Sequence, residues 1–286
     1  MELQQRRATP LLERMGTVIA FRRPAHWLTR YERSQVRSIA AWKAARPGAY
    51  ESFVRGLTRP LAENVHALLK PSVVRVFGDL LEYLNTRFAR DHDLTRDANV
   101  RGAGITDIES LSQKPLEVAD ALADYVIADA RSRAVAAGAA SGFATPVALT
   151  LGIPAAFGAA LRASHRVAQA YGCSGEAQAD RAMVLQVLAL ALAVTRAERT
   201  RAMQDYRRQL EQAFVNCAFD EIIQVIIERT IVRVQLGSAV PGLGIIVSAR
   251  VHGRFVERAA VCAKRVFQER WLRTRGKVDW IEPCAA

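Results

Sequence analysis

At 286 residues, half of them hydrophobic, the chain is long enough for one large domain or two small ones and can bury a substantial core. Only 7% of residues are aromatic and alanine is abundant, which favours close-packed helices over a β-sandwich. The net charge of +12 sits at the ends, with +8 over residues 1–60 and +7 over residues 250–277, leaving −3 for the remainder.

Four cysteines (Cys173, Cys217, Cys262, Cys284) stand far apart without a Cys-x-x-Cys, arguing against a disulfide frame or zinc site and for a reducing compartment. Five of the 40 basic residues are lysine, and arginine suits bidentate phosphate contact. Met15–Phe21 is apolar but short and runs into Arg22-Arg23-Pro24, so no secretory signal is predicted. No uninterrupted helical span of about 20 apolar residues is predicted. The expectation is a cytoplasmic protein, with peripheral attachment to the inner face of the cell membrane left open.

Residues 1–25 form a basic lead-in carrying Arg6, Arg7, Arg14, Arg22 and Arg23. From His26 to Arg46 a helical pattern runs through Trp27, Tyr31, Val36, Ile39 and Trp42 until Pro47-Gly48. Arginines interleaved with aromatics raise nucleic-acid binding, but no RNP, zinc-finger or helix-turn-helix signature accompanies them. Pro60–Lys70 and Pro71–Arg90 read as helices with proline at the permitted first position. Asp91-His92-Asp93 and Asp97 follow in a polar loop, more in keeping with a helix end and turn than with a metal cluster. Gly102–Leu111 is predicted as another loop.

Pro115 opens the clearest helix, with Leu116, Ala119, Ala123, Val126, Ile127, Ala130 and Ala134 as its buried stripe. Glu117, Asp120 and Asp124 share another face and are the weak candidates for catalytic carboxylates; acids favourable to the helix N-terminus are the simpler reading. The helix leads into Ala134–Leu161, 28 residues without a charge. Gly138 and Gly142 there form a small-xxx-small pattern that permits close backbone approach. Pro146 is expected to break the helix near Phe143–Thr145, and Pro154 to start the next. That helix is expected to end at Tyr171-Gly172. His165, with no second histidine one turn away, reads as packed or capping.

Ala182–Val194 reads as a core helix and Thr195–Gln212 as a charged, solvent-facing one. Ala213–Val234 is β-branched, yet Glu228, Arg229 and Arg233 break any alternation, so helix is predicted. Leu236–Ala249 is a second uncharged break, and its Pro241-Gly-Leu-Gly244 lacks the rest of a nucleotide loop. A long final helix carries Arg250, Arg254 and Arg258 as a basic ridge, suited either to anionic lipid or simply to water. Residues 276–286 read as a tail in which Trp280 and Ile281 can dock. No cofactor motif stands out.

The order Gly138-x-x-x-Gly142, Pro154, Leu161-Arg162, Tyr171-Gly172, then Val240-Pro241-Gly242-Leu243-Gly244, Phe255-Val256, Ala259-Ala260 and Phe267-x-x-Arg270 resembles the EcsC family, a bacterial family named after a protein encoded beside an ABC transporter. The resemblance spans residues 26–275. It implies an all-helical cytoplasmic protein of a family in which membrane association is suspected and no catalytic mechanism is established. The family's frequent acids fall at Ala137 and Gly152 here, and its C-terminal asparagine at His252, so chemistry depending on those groups would be lost.

These readings combine into an all-α, single multi-helix domain over 26–275, built around two small-residue hairpin joints with Gly138, Gly142, Pro154, Tyr171, Gly172, Pro241 and Gly244 as structural markers. The leading function is a non-enzymatic accessory protein bound peripherally to an anionic membrane surface or a membrane protein. Alternatives are a hydrolase-like enzyme using Glu117, Asp120 and Asp124, and a soluble helical scaffold.

Overall fold

Every regular element among the described residues is a helix, as the composition and periodicity require. The computed structural model describes residues 27–45, 71–91, 93–140, 146–193, 195–211, 219–238 and 244–284. The chain divides into two compact units, Met1–Ala45 with Gln268–Ala286, and Arg46–Phe267.

The smaller unit contains α1 (Arg30–Ala44). A reciprocal capping box starts it: the Thr29 hydroxyl accepts from the Glu32 amide at 3.1 Å, and the Glu32 carboxylate accepts from the Thr29 amide at 2.9 Å. Val36, Ile39 and Ala40 form its inward face. Beside it lies the segment from Gln268 onward, in which Leu272 and Ile281 are fully buried.

The larger unit holds α2 (Pro71–Arg90), α3 (Asp93–Arg96), α4 (Ala98–Gly102), α5 (Ile108–Leu111), α6 (Leu116–Ala140), α7 (Pro146–Ala170), α8 (Gln178–Leu192), α9 (Arg196–Glu211), α10 (Phe219–Ser238) and most of α11 (Gly244–Thr274). The core is centred on α8, where every residue from Ala182 to Leu192 is buried. Such a helix can exist only if surrounded, and α2, α7, α9 and α10 pack around it. Its one interior amide, Gln186, donates to the Ala202 carbonyl of α9 at 3.1 Å. Thr195 and Glu198 cap α9 with a second reciprocal box. On α10, Ile222, Ile223, Ile226 and Ile227 are buried while Glu221 and Gln224 are exposed. That 3.6-residue spacing overrides the strand propensity of the β-branched run.

α6 and α7 pack against each other, and α7 also meets α2, α3 and α5. Phe157 of α7 is buried between Phe77 of α2, edge-on at 5.3 Å, and Phe255 of α11 at 5.1 Å. One expectation is corrected here. Pro154 does not start α7; the helix begins at Pro146, eight residues earlier. Proline is favoured at a first helical position, and Pro154, lacking an amide hydrogen, removes only the bond to the carbonyl of residue 150. The stretch Gly102–Leu111, expected as loop, also contains the short helix α5, capped by Asp107. Pro60–Lys70, residues 141–145 with Gly142, and residues 239–243 with Pro241 lie outside the described residues, as do the side chains of 146–154.

Candidate functional site

Most of the buried polar groups described in the larger unit gather along the C-terminal half of α7. Because neighbours surround this helix, positions that would face water elsewhere are enclosed. Ser164, His165, Arg166, Gln169 and Tyr171 are all buried. Buried polar groups cost several kcal/mol unless bonded, roughly 2–7 kcal/mol by transfer scales, so each residue's partner matters.

His165 Nε2 lies 2.8 Å from Asn85 Oδ1 on α2, and Asn85 in turn donates to the Arg181 carbonyl at 3.1 Å. Burial, aided by the nearby Arg181 charge, drives the His165 imidazole down to about 3, so it is neutral at physiological pH. Asn85 Oδ1 can only accept, so the imidazole carries its proton on Nε2. Gln169 bridges to α3 and the residue before it in the described chain, accepting from the Leu94 amide at 3.2 Å and donating to the Asp91 carbonyl at 3.2 Å.

Arg166 is clamped between two carboxylates. One terminal nitrogen lies 3.0 Å from Asp97 Oδ2 and the other binds Asp129 Oδ2 on α6. Asp97 is also the N-cap of α4, accepting from the Asn99 amide at 3.0 Å, and it accepts from the Tyr125 hydroxyl at 3.0 Å. Burial pushes the Asp97 carboxyl up, but Tyr125, the Asn99 amide and Arg166 together bring it below its ordinary value. The polar run Asp91–Asp97 thus works as turn and cap, with Asp97 also closing the arginine clamp.

Tyr171 donates to Asp120 Oδ1 at 2.6 Å. Burial and the adjacent Asp120 charge raise its phenol well above the ordinary tyrosine value, so it stays protonated as the donor. The next residue, Gly172, terminates α7 at φ 82°. The Cys173 amide bonds to the Ala168 carbonyl and the Gly172 amide to the Gln169 carbonyl, a Schellman closure. A Cβ at Gly172 would come within 2.5 Å of the Ser112 backbone nitrogen, so the left-handed turn and the close approach both demand glycine.

The three candidate carboxylates occupy unlike surroundings. Glu117 is exposed, Asp120 is buried against Tyr171, and Asp124 is exposed and paired with Lys264 at 2.6 Å. Their angular spacing on α6 is close, but Asp120 lies at the margin where the apolar stripe begins. Of the basic ridge, Arg254 is exposed, whereas Arg258 is half-buried and donates to the Ala193 carbonyl at 3.3 Å; the Arg250 side chain is not among those described. Gly138 lies in α6 and Gly244 begins α11. Among the described residues, no group of three or more His, Cys, Asp or Glu is placed to hold a metal ion.

The smaller unit has its own buried polar centre. Lys43 Nζ lies 2.7 Å from Glu269 Oε1, donates to the Ile281 carbonyl at 2.8 Å, and sits 3.1 Å from the centroid of the Trp280 ring. Glu269 Oε1 also accepts from the Ile281 amide at 3.0 Å. Burial lowers the Lys43 ammonium to about 8, against the opposing attraction of Glu269. The Cys284 amide bonds to the Ala40 carbonyl at 3.2 Å, and Lys277 pairs with Glu32.

The EcsC protein family model matches residues 33–272. The chain belongs to the EcsC protein family. No curated protein and no solved structure matches it. The family match spans α1 through nearly all of α11 and so takes in both polar centres. Sequence reasoning missed Asn85, Asp97 and Asp129 as partners of α7. The available signal was that Arg166 has small residues one turn to either side, Ala163 and Ala170, as on a packed face.

Proposed function

We propose that this EcsC-family protein is a non-catalytic accessory protein that attaches peripherally, from the cytoplasmic side, to an anionic membrane surface or a membrane complex. The observation that carries this reading is the segregation of charge in the chain. The two ends hold +8 and +7, and two stretches, 134–161 and 236–249, hold none. The first is bounded by Arg133 and Arg162; the second begins three residues after Arg233 and ends just before Arg250. Cationic residues near an anionic bilayer are attracted by about 1 kcal/mol each. The uncharged stretches, acting as tight joints between helices, would organise the fold and give a membrane or membrane protein an apolar edge.

Two further facts agree with this reading. Among the described residues no helix is long and apolar enough to cross a membrane. Two of the polar groups enclosed by the fold are closed on partners, His165 on Asn85 and Tyr171 on Asp120. The test is liposome flotation of the full chain at low salt, with and without anionic phospholipid. Co-flotation only with the anionic vesicles is expected. Protein left at the bottom with both would overturn the reading.

A further inference from the structure

Resting on the surface-attachment reading, we propose that the outward face of α1, Arg30, Arg33 and Arg37 with Trp27 at its entrance, is the docking surface for an anionic phospholipid bilayer. The first support is the way α1 sorts its charge. Arg30, Arg33 and Arg37 are spaced i, i+3, i+7, share one side of the helix and are exposed. The only acid in α1, Glu32, is 3% exposed, turned inward and paired with Lys277. The only lysine, Lys43, is 5% exposed and closed on Glu269. Among the described residues the outward face of α1 therefore carries arginine without an acid of its own helix beside it, flanked by the small residues Ser34 and Ala41.

A merely solvated charged helix is built differently, and α9 is the example within this chain. There Arg207 pairs with Glu211 at 2.9 Å and Arg208 with Asp205 at 3.6 Å, so cations and anions alternate along one exposed surface. No such i, i+3 or i, i+4 acid exists for Arg30 or Arg37, since Glu32 is the helix's sole carboxylate and faces the interior.

The second support is Trp27, which is 66% exposed two residues before the Thr29 cap. An indole in water beside arginines forfeits apolar burial, and the bilayer interface is where aromatic ring and cation are both accommodated. Immediately upstream, residues 1–25 add five more arginines against two acids. A polybasic segment leading into a cationic helix with an exposed tryptophan matches the charge and polarity of a headgroup layer. An acidic protein would not need the indole. A nucleic-acid reader would carry an RNP, zinc-finger or helix-turn-helix signature, and the sequence shows none of these.

The experiment measures binding of the full chain to vesicles of phosphatidylcholine containing about one third phosphatidylglycerol. The triple variant Arg30→Gln/Arg33→Gln/Arg37→Gln is expected to bind about a hundred-fold more weakly than the parent. Arg201→Gln/Arg207→Gln/Arg208→Gln, an equal charge change on α9, should lose only a few-fold. Arg→Lys at the three α1 positions should restore most of the binding, which separates charge from folding. Vesicles with brominated acyl chains should quench tryptophan emission in the parent and much less in Trp27→Phe. Equal weakening by the α1 and α9 triples, or unchanged quenching in Trp27→Phe, overturns this assignment while surface attachment stands. No vesicle binding by the parent removes attachment itself. Tighter capture by duplex DNA than by the vesicles overturns the choice of lipid.

Discussion

The two polar centres solve one problem by opposite means. In the smaller unit, two full charges, Lys43 and Glu269, are taken out of water together and close on one stretch of backbone, the amide and carbonyl of Ile281. On α7 the centre is a row of separate contacts, mostly neutral or one-sided: a neutral histidine on an asparagine, a phenol on a carboxylate, and an arginine whose two carboxylates are only part-buried. The first is a single closed unit, so removing one member strands the other. The second is distributed, so each contact should be lost nearly alone.

The largest effect should come from breaking the closed pair. Lys43→Met leaves Glu269 buried without its cation, and about 3–5 kcal/mol of stability should be lost. Glu269→Leu should cost a similar amount. The double variant Lys43→Met/Glu269→Leu removes both charges and should recover most of the loss, because replacing a buried pair with apolar side chains is often neutral or better. Urea unfolding of the four proteins measures the coupling, and additive losses would show that the pair is not a closed unit.

A smaller effect tests the distributed centre through pH. The His165 pKa is depressed from 6.5 to about 3 by burial, so between these values the unfolded chain binds a proton that the folded chain refuses. The stabilising contribution is complete above pH 6.5 and is lost as pH falls toward 3. At pH 4.5 the loss should be about 2–3 kcal/mol relative to pH 7. His165→Gln retains a donor for Asn85 but has no proton to gain. The difference between parent and variant in urea midpoint should therefore narrow or reverse from pH 7 to pH 4.5, other titrating groups cancelling in the comparison. A constant difference across that range would mean that His165 is not held neutral.

The contrast also shows what a sequence can and cannot reveal. Features set by neighbours in the chain were legible. They include the helix from Pro71 to Arg90, the glycine closure at Tyr171-Gly172, and the helical character of the isoleucine-rich α10, where charges at Glu228 and Arg229 spoil any alternation. The family was legible because its small-residue motifs keep their order. The partners were not legible. Asn85 and His165 are 80 positions apart, and Lys43 and Glu269 are 226 apart. Each pairing is fixed by packing of whole helices, which local periodicity does not encode. Pro154 failed for a related reason: one missing backbone bond does not end a helix whose other bonds and contacts hold.

The smallest difference separates two acids one turn apart on α6. Asp120 and Asp124 look alike in sequence, yet Asp120 accepts from the buried Tyr171 hydroxyl, while Asp124, its side chain 64% exposed, meets Lys264 at the surface. Tyr171→Phe removes a donor to a buried carboxylate and should cost about 2 kcal/mol. Lys264→Met removes the partner of a carboxylate that is mostly open to water, and the loss should be about 0.2–1 kcal/mol, shrinking as salt is raised. Thermal unfolding of both variants at low and high salt makes the comparison. If the carboxylates instead shared a catalytic cleft, the two variants would not divide by burial. The salt sensitivity of Lys264→Met beside the salt indifference of Tyr171→Phe would then be absent.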